Sequence, residues 1–337
     1  MQAGVSRRKF LVGTAGVSTF GIVRARAEAA EFTIKFANNL PLDHPLNVRA
    51  AEAIAKIKEE SGGRLLVQVF PNSQLGGDTD MLSQVRSGAI DLFTISGLIL
   101  SSLVPVTSIY GLGFAFSNYD TAWKAVDGEL GDHMRAAVSK TGLHPLSTNW
   151  DNGFRHFFSG EKPIATPEDL VGFKMRVPMS PMWVSVFKSL GASPIGINWA
   201  ETYTALQTKV VDGLENSLAN IKSSKMYEVT KYCSLVNYMW DNFFVVANGR
   251  TFRQLPPDLQ EILERNFNEA GRAERKDVAD LNVSLQGVLE KDGMVFSQPA
   301  LEPFRAALQK SGFYKDWKAK FGPEAWQILE KYTGPLI

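Results

Sequence analysis

The chain has 337 residues, 45% of them apolar and 21% charged with both signs interspersed, which allows two ordinary domains and argues against wholesale disorder. The formal net charge is +1, but residues 1–27 carry Arg7, Arg8, Lys9, Arg24 and Arg26 and no acid; removing those five from 36 basic residues leaves 31 against 35 acids, a net of −4. A mildly acidic globule does not suit nucleic acid or an anionic membrane surface.

In chain order, Ser6-Arg7-Arg8-Lys9-Phe10-Leu11 opens the sequence, an apolar, small-residue stretch runs from Val12 to Val23, and Ala25-Arg26-Ala27 follows. Charge, a short apolar region and an A-x-A site describe an export leader over residues 1–27. The adjacent arginines before Phe-Leu favour the twin-arginine route over the Sec route, and both lead to the periplasm. The stretch is too short to span a bilayer. No cysteine stands near the cleavage site for a lipid anchor.

From about residue 31, short strand-like runs alternate with longer helix-like ones. Phe32–Phe36 alternates with period two, as a strand does. Asn47–Glu60 reads as a helix stopped by Gly62-Gly63, and Leu65–Phe70 as a strand ended by Pro71-Asn72. A helix through Met81–Arg86, a turn at Ser87-Gly88 and a strand over Ile90–Ile95 come next. A second unit begins near residue 153. Thr166-Pro167-Glu168-Asp169 and Ser180-Pro181 read as helix starts, and Asn198-Trp199-Ala200-Glu201 fits a capping box. Arg86–Asp91 and Thr208–Asp212 each follow a short helix and enter an apolar strand, a weak echo between the two units. Pro256-Pro257-Asp258 starts a helix-compatible run to about Leu289, roughly 50 Å long at 1.5 Å per residue and suited to an interdomain strut. The expected fold is α/β, with mixed sheets flanked by helices in two periplasmic-binding-protein-like domains and a long helix linking them. Domain I covers 31–150 with part of 241–280; domain II covers 151–240 with part of 281–337.

Cys233 is the only cysteine, which excludes an intrachain disulfide and a multi-thiolate metal site. His44, His133, His144 and His156 show no ligand spacing, so neither a metal nor a cofactor is expected. The chain has no G-x-S-x-G, H-E-x-x-H or Walker A sequence, and Gly111-Leu112-Gly113 is not a dinucleotide site. Two arginines stand out against surface-charge or ion-pair roles. Arg176 ends the strand-like Phe173–Pro178 just before the Ser180-Pro181 helix start, where a carboxylate takes a bidentate bond and senses a helix N-terminus. Arg155 lies in Trp150–Phe157, read as a strand left through a glycine-punctuated loop. Asn216 ends Val211–Asn216, another strand-to-loop transition of the kind where α/β ligands gather. Trp150, Trp183, Trp199, Trp240, Phe157 and Phe158 suit either core packing or an aromatic wall for a ligand. Of these, Trp150, Phe157 and Trp199 join Asn39 as further candidate contacts.

The combination of Lys174–Pro178, Leu190–Pro194, Tyr203–Thr208 and Val211–Asn216, with Gln74-Leu75-Gly76, Ser87–Asp91 and Tyr227–Val229, closely resembles the DctP-type solute receptors of TRAP transporters. The resemblance covers nearly all of residues 31–337. It implies a two-domain receptor, expected to be a monomer, that closes on a small organic carboxylate and delivers it to integral-membrane TRAP permease subunits. It implies that Arg176 pairs with the ligand carboxylate, that Arg155 supports it and that Asn216 lines the site. Leu214 stands where the family often has glutamine and Ser217 where proline is common, which bears on ligand shape. Sugar acids, oxo acids and dicarboxylates all remain open. A periplasmic carboxylate-processing enzyme and a receptor feeding a sensor are the alternatives.

Overall fold

The computed structural model describes residues 30–337; the export leader expected over 1–27 lies outside them. The strands are β1 (Phe32–Ala37), β2 (Leu65–Phe70), β3 (Leu92–Ser96), β4 (Leu143–Pro145), β5 (Trp150–Ser159), β6 (Lys174–Val177), β7 (Ser193–Gly196), β8 (Gly213–Asn216), β9 (Tyr232–Asn248) and β10 (Val295–Ser297). They pair in the order β2-β1-β3-β9-β5-β8-β6-β7, with β4 and β10 also on β9. β1 lies parallel to β2 and β3, and β6 lies parallel to β7 and β8. The middle is antiparallel: β9 against β3 and β5, and β5 against β8. The α/β expectation with mixed pairing holds.

The weak echo has a structural counterpart. Asp91 Oδ2 accepts from Lys35 N at 2.8 Å, and Asp212 Oδ2 accepts from Lys174 N at 2.8 Å. Each aspartate closes the entry to the third strand of its half onto the first. Three residues earlier stand Gly88 and Lys209, both with left-handed backbone (φ 90° and 57°). The same helix-exit turn is thus built with glycine in one half and lysine in the other.

Three expectations change. Residues 150–159 do not leave the sheet at Gly153: β5 continues to Ser159, with register shifts at Asp151/Gly153 and Arg155/Phe157. Gly153, at φ 87°, absorbs the first shift as a bulge while pairing resumes beyond it. Asn198 does precede the helix Trp199–Gln207, but its side chain makes no cap bond. At Thr166 the expected helix start is a short 3₁₀ turn, Pro167–Leu170, with the Asp169 carboxylate accepting from Thr166 N.

The long helix spans Pro257–Lys291. Leu259, Leu263, Phe267 and Ala270 enter the core beneath β1 and the helix Pro45–Glu60, whereas Leu285 and Leu289 enter a separate core with Trp199, Leu206 and Leu218. One helix therefore anchors in both halves, as a strut must. The C-terminal helix Phe313–Thr333, broken at Gly322-Pro323, buries Trp317, Trp326 and Leu329 in a third core. That core includes Val126 and Leu130 from the first half and Trp183 and Phe187 from the second.

Candidate ligand-binding cleft

β6 carries Arg176 to the inner end of the second half, where the guanidinium is 1% exposed. Its Nε and Nη2 donate to Ile197 O at 2.9 and 2.6 Å, and its Cζ lies 5.4 Å from the centroid of the Trp199 ring. Nη1 is buried without a hydrogen-bond partner, and no carboxylate of the described residues lies within ion-pair distance. Burial lowers the pKa of Arg176 to about 10. A buried, unpaired cation is costly by itself, so the site is incomplete without an anion.

Arg155 reaches the same cavity from β5 in a different electrical state. Its Nε and Nη2 donate to the two carboxylate oxygens of Glu215 at 2.5 and 2.9 Å, and Nη1 stands 3.7 Å from Asp241 Oδ2. Tyr238 Oη donates to Glu215 at 2.6 Å and itself accepts from Trp183 Nε1 at 3.0 Å. The resemblance implies that Arg155 supports the ligand anchor; its charge is matched by Glu215, which makes it part of the cavity floor.

Asn216, at the end of β8, turns Oδ1 toward Ser217 N and Asn220 Nδ2, both at 2.8 Å. Asn220 Nδ2 also donates to Asn152 Oδ1 at 2.7 Å, and Asn152 Nδ2 donates to Asp241 at 2.6 Å. Asp241 accepts from Ser96 Oγ as well, and burial raises its pKa to about 6. From the first half come Asn39 and Asp78. Asn39 Nδ2 donates to Asp78 Oδ1 at 2.8 Å, and burial raises the Asp78 pKa to about 6.

Residues from both halves line one narrow shared cavity of about 30 Å³, smaller than a usual small-molecule site. Of the expected contacts, Arg155, Arg176, Asn216, Asn39 and Trp199 meet there. Trp150 and Phe157 do not line it. Trp150 packs against Phe267 of the long helix, and Phe157 lies among Phe187, Tyr238 and Phe304. Both are core aromatics on the long central strand β5. The sequence reading passed over Asp78, Ser96, Asn152 and Asn220. Asp78 had a signal, since it follows Gly76-Gly77 and opens the helix Asp78–Ser87; the others are short polar residues indistinguishable from turn formers.

A cleft walled by two α/β halves and holding a buried guanidinium without an anion is built to take up a small anion between them. The chain belongs to the DctP family: the model for bacterial extracellular solute-binding protein, family 7, matches residues 36–317. It is 33% identical over 322 residues to the 2,3-diketo-L-gulonate-binding periplasmic protein of Escherichia coli, covering 95% of each chain. An uncharacterised protein of Sinorhizobium fredii is 35% identical over 282 residues, 83% of this chain. The chain spans about half the length of that relative, 52%. Among solved structures, the sugar acid binding protein of Advenella mimigardefordensis in complex with galactonate superposes with a TM-score of 0.86 at 29% identity, covering 90% of this chain and 99% of that one. A TRAP periplasmic solute-binding protein of Sulfurospirillum deleyianum with bound succinate gives 0.84 at 31% identity, again over 90% and 99%. The expected TRAP-receptor family and its fold are therefore borne out.

Proposed function

We propose that this chain captures a small organic carboxylate in the periplasm, holds it on Arg176 and presents it, chemically unchanged, to integral-membrane TRAP permease subunits. The observation that carries the reading is the buried Arg176 guanidinium, whose Nη1 has no partner. With Nε and one Nη2 hydrogen held by Ile197 O, the Nη1/Nη2 end of the fork is the edge left for a carboxylate. Arg155 positions the floor through Glu215, Asn216 offers its amide edge, and Trp199 backs the guanidinium. The diketogulonate-binding relative and the neighbours holding galactonate and succinate support a carboxylate ligand.

The moving bodies in this reading are 31–150 with part of 241–280, and 151–240 with part of 281–337. Ligand contacts from both would favour the closed arrangement. A thermal-shift screen over organic acids tests capture; a ligand at 100 times its Kd stabilises by about 2.7 kcal/mol. Arg176→Ala is expected to abolish that shift, and Arg176→Lys to bind poorly because an ammonium cannot reproduce the fork. Small-angle scattering should show a smaller radius of gyration with ligand, and mass spectrometry should recover the ligand intact. Alanine-variant binding within about three-fold of wild type, well under the 2 kcal/mol expected for a desolvated charge contact, removes the anchor. A transformed ligand removes the receptor reading.

A further inference from the structure

Two cations and three carboxylates line or floor the cleft, and they are not distributed evenly. Arg155 is matched by Glu215, and Asp241 is held by Ser96, Asn152 and Asn242 N. Arg176 therefore remains as the one cavity cation without a paired carboxylate among the described residues. Facing it from the first half is Asp78, buried at the start of its helix, with Oδ1 accepting from Asn39; the Trp199 backbone N–H and the Arg176 charge also favour its carboxylate, and no cation lies within ion-pair distance among the described residues. A carboxylate offers about four acceptor sites, and a buried one needs donors to fill them.

A ligand with one carboxylate and neighbouring hydroxyls completes both walls: its anion meets Arg176 and a hydroxyl donates to Asp78. A dicarboxylate brings a second anion toward Asp78, setting acceptor against acceptor with no second free cation. One of the two carboxylates would have to take up a proton. We propose that this cleft selects hydroxylated monocarboxylates of the sugar-acid class over dicarboxylates, with Asp78 as the selecting residue. The inference rests on the carboxylate reading above and narrows it.

The purified protein is titrated calorimetrically at neutral pH with two length-matched pairs: D-erythronate against succinate, and D-galactonate against adipate. The expected result is that at least one hydroxy acid binds more than about ten-fold tighter than its matched diacid, which must neutralise one carboxyl and forfeits the hydroxyl bond to Asp78. Asp78→Asn should weaken the hydroxy acid, leave the diacid unchanged or tighter, and bring the ratio below about ten-fold, since an amide carries no charge to repel. A wild-type diacid within about ten-fold of its partner overturns the proposal, as does preferred binding of an unhydroxylated oxo acid; both leave Arg176 anchoring intact. An unaltered ratio in Asp78→Asn removes Asp78 as the selector. Should that variant not fold, the wild-type ratio decides alone. If no acid of any kind binds, the carboxylate reading and this inference fall together.

Discussion

The two halves of the sheet share a topology and differ in chemistry. β2-β1-β3 and β7-β6-β8 are both parallel triplets with the strand that comes first in the chain in the middle, and each is closed by an aspartate on the central strand's lysine, Asp91 on Lys35 and Asp212 on Lys174. Two residues beyond those lysines the halves part company. Ala37 stands in the first half, packed in core, and Arg176 stands in the second, pointing into the cleft. The first half supplies a carboxylate, Asp78, and the second supplies the unpaired cation. A duplicated scaffold thus presents unlike groups across one cleft, so a single ligand has reason to touch both.

The largest expected effect separates the two arginines that the second half brings to the cleft. Arg155→Ala leaves Glu215 buried without its cation and should lower unfolding free energy by about 3–5 kcal/mol in urea titrations. Arg176→Ala should cost the ligand-free protein far less, because no ion pair is broken. Equal losses in the two would erase the distinction between floor and anchor.

The seam between the halves gives the next effect. Asp151, at the start of β5, receives Trp240 Nε1 at 3.1 Å, and its own N–H donates to Glu274 of the long helix at 2.8 Å. Burial pushes the Asp151 carboxyl up to about 7 and raises that of Glu274 as well. A carboxyl whose folded pKa lies above its unfolded value of about 3.9 binds more protons when folded. Its contribution is most favourable at low pH and is lost as pH rises toward 7. The stability of wild type minus that of Asp151→Asn should fall by on the order of 3 kcal/mol from pH 4 to pH 8. His44 and His156, depressed by burial to about 4 and about 3, act with the opposite sign but in both proteins, and cancel in the difference. A flat difference would show the seam carboxyl to be unperturbed.

The matched aspartates offer a smaller, paired test. Asp91→Asn and Asp212→Asn should each cost about 1 kcal/mol and should agree with each other; a clear inequality breaks the equivalence of the halves. Smallest is the helix-exit turn, where the two halves differ at one position. Gly88→Ala should destabilise by about 1 kcal/mol, because a Cβ is strained at its positive φ, and Lys209→Gly should stabilise by up to about the same amount. Thermal unfolding of the two variants reads both signs.

Much of the outer architecture was legible. Period-two alternation marked β1 at Phe32–Phe36 and the run Leu65–Phe70 marked β2, glycines marked the exit of the first helix, and the long polar run after Pro257 marked the strut. β9 was not legible: eleven consecutive residues from Tyr238 to Asn248 are buried, so the alternation that betrays a half-exposed strand is absent. β5 was masked by its bulge at Gly153, which looks like a loop until both neighbouring strands are in place.

In the cleft the division is of another kind. The sequence by itself determined the family, through motifs around Arg176 and Asn216, and through them the presence of an anion anchor. Which arginine stays unpaired was decided only by the tertiary structure. Arg155 and Glu215 stand 60 positions apart and meet because β5 and β8 pair antiparallel. Asp78 faces Arg176 because the long helix and the two long central strands set one half against the other. Charge balance in a buried site depends on distances of a few ångströms between groups far apart in the chain, and such distances exist only once the chain has folded.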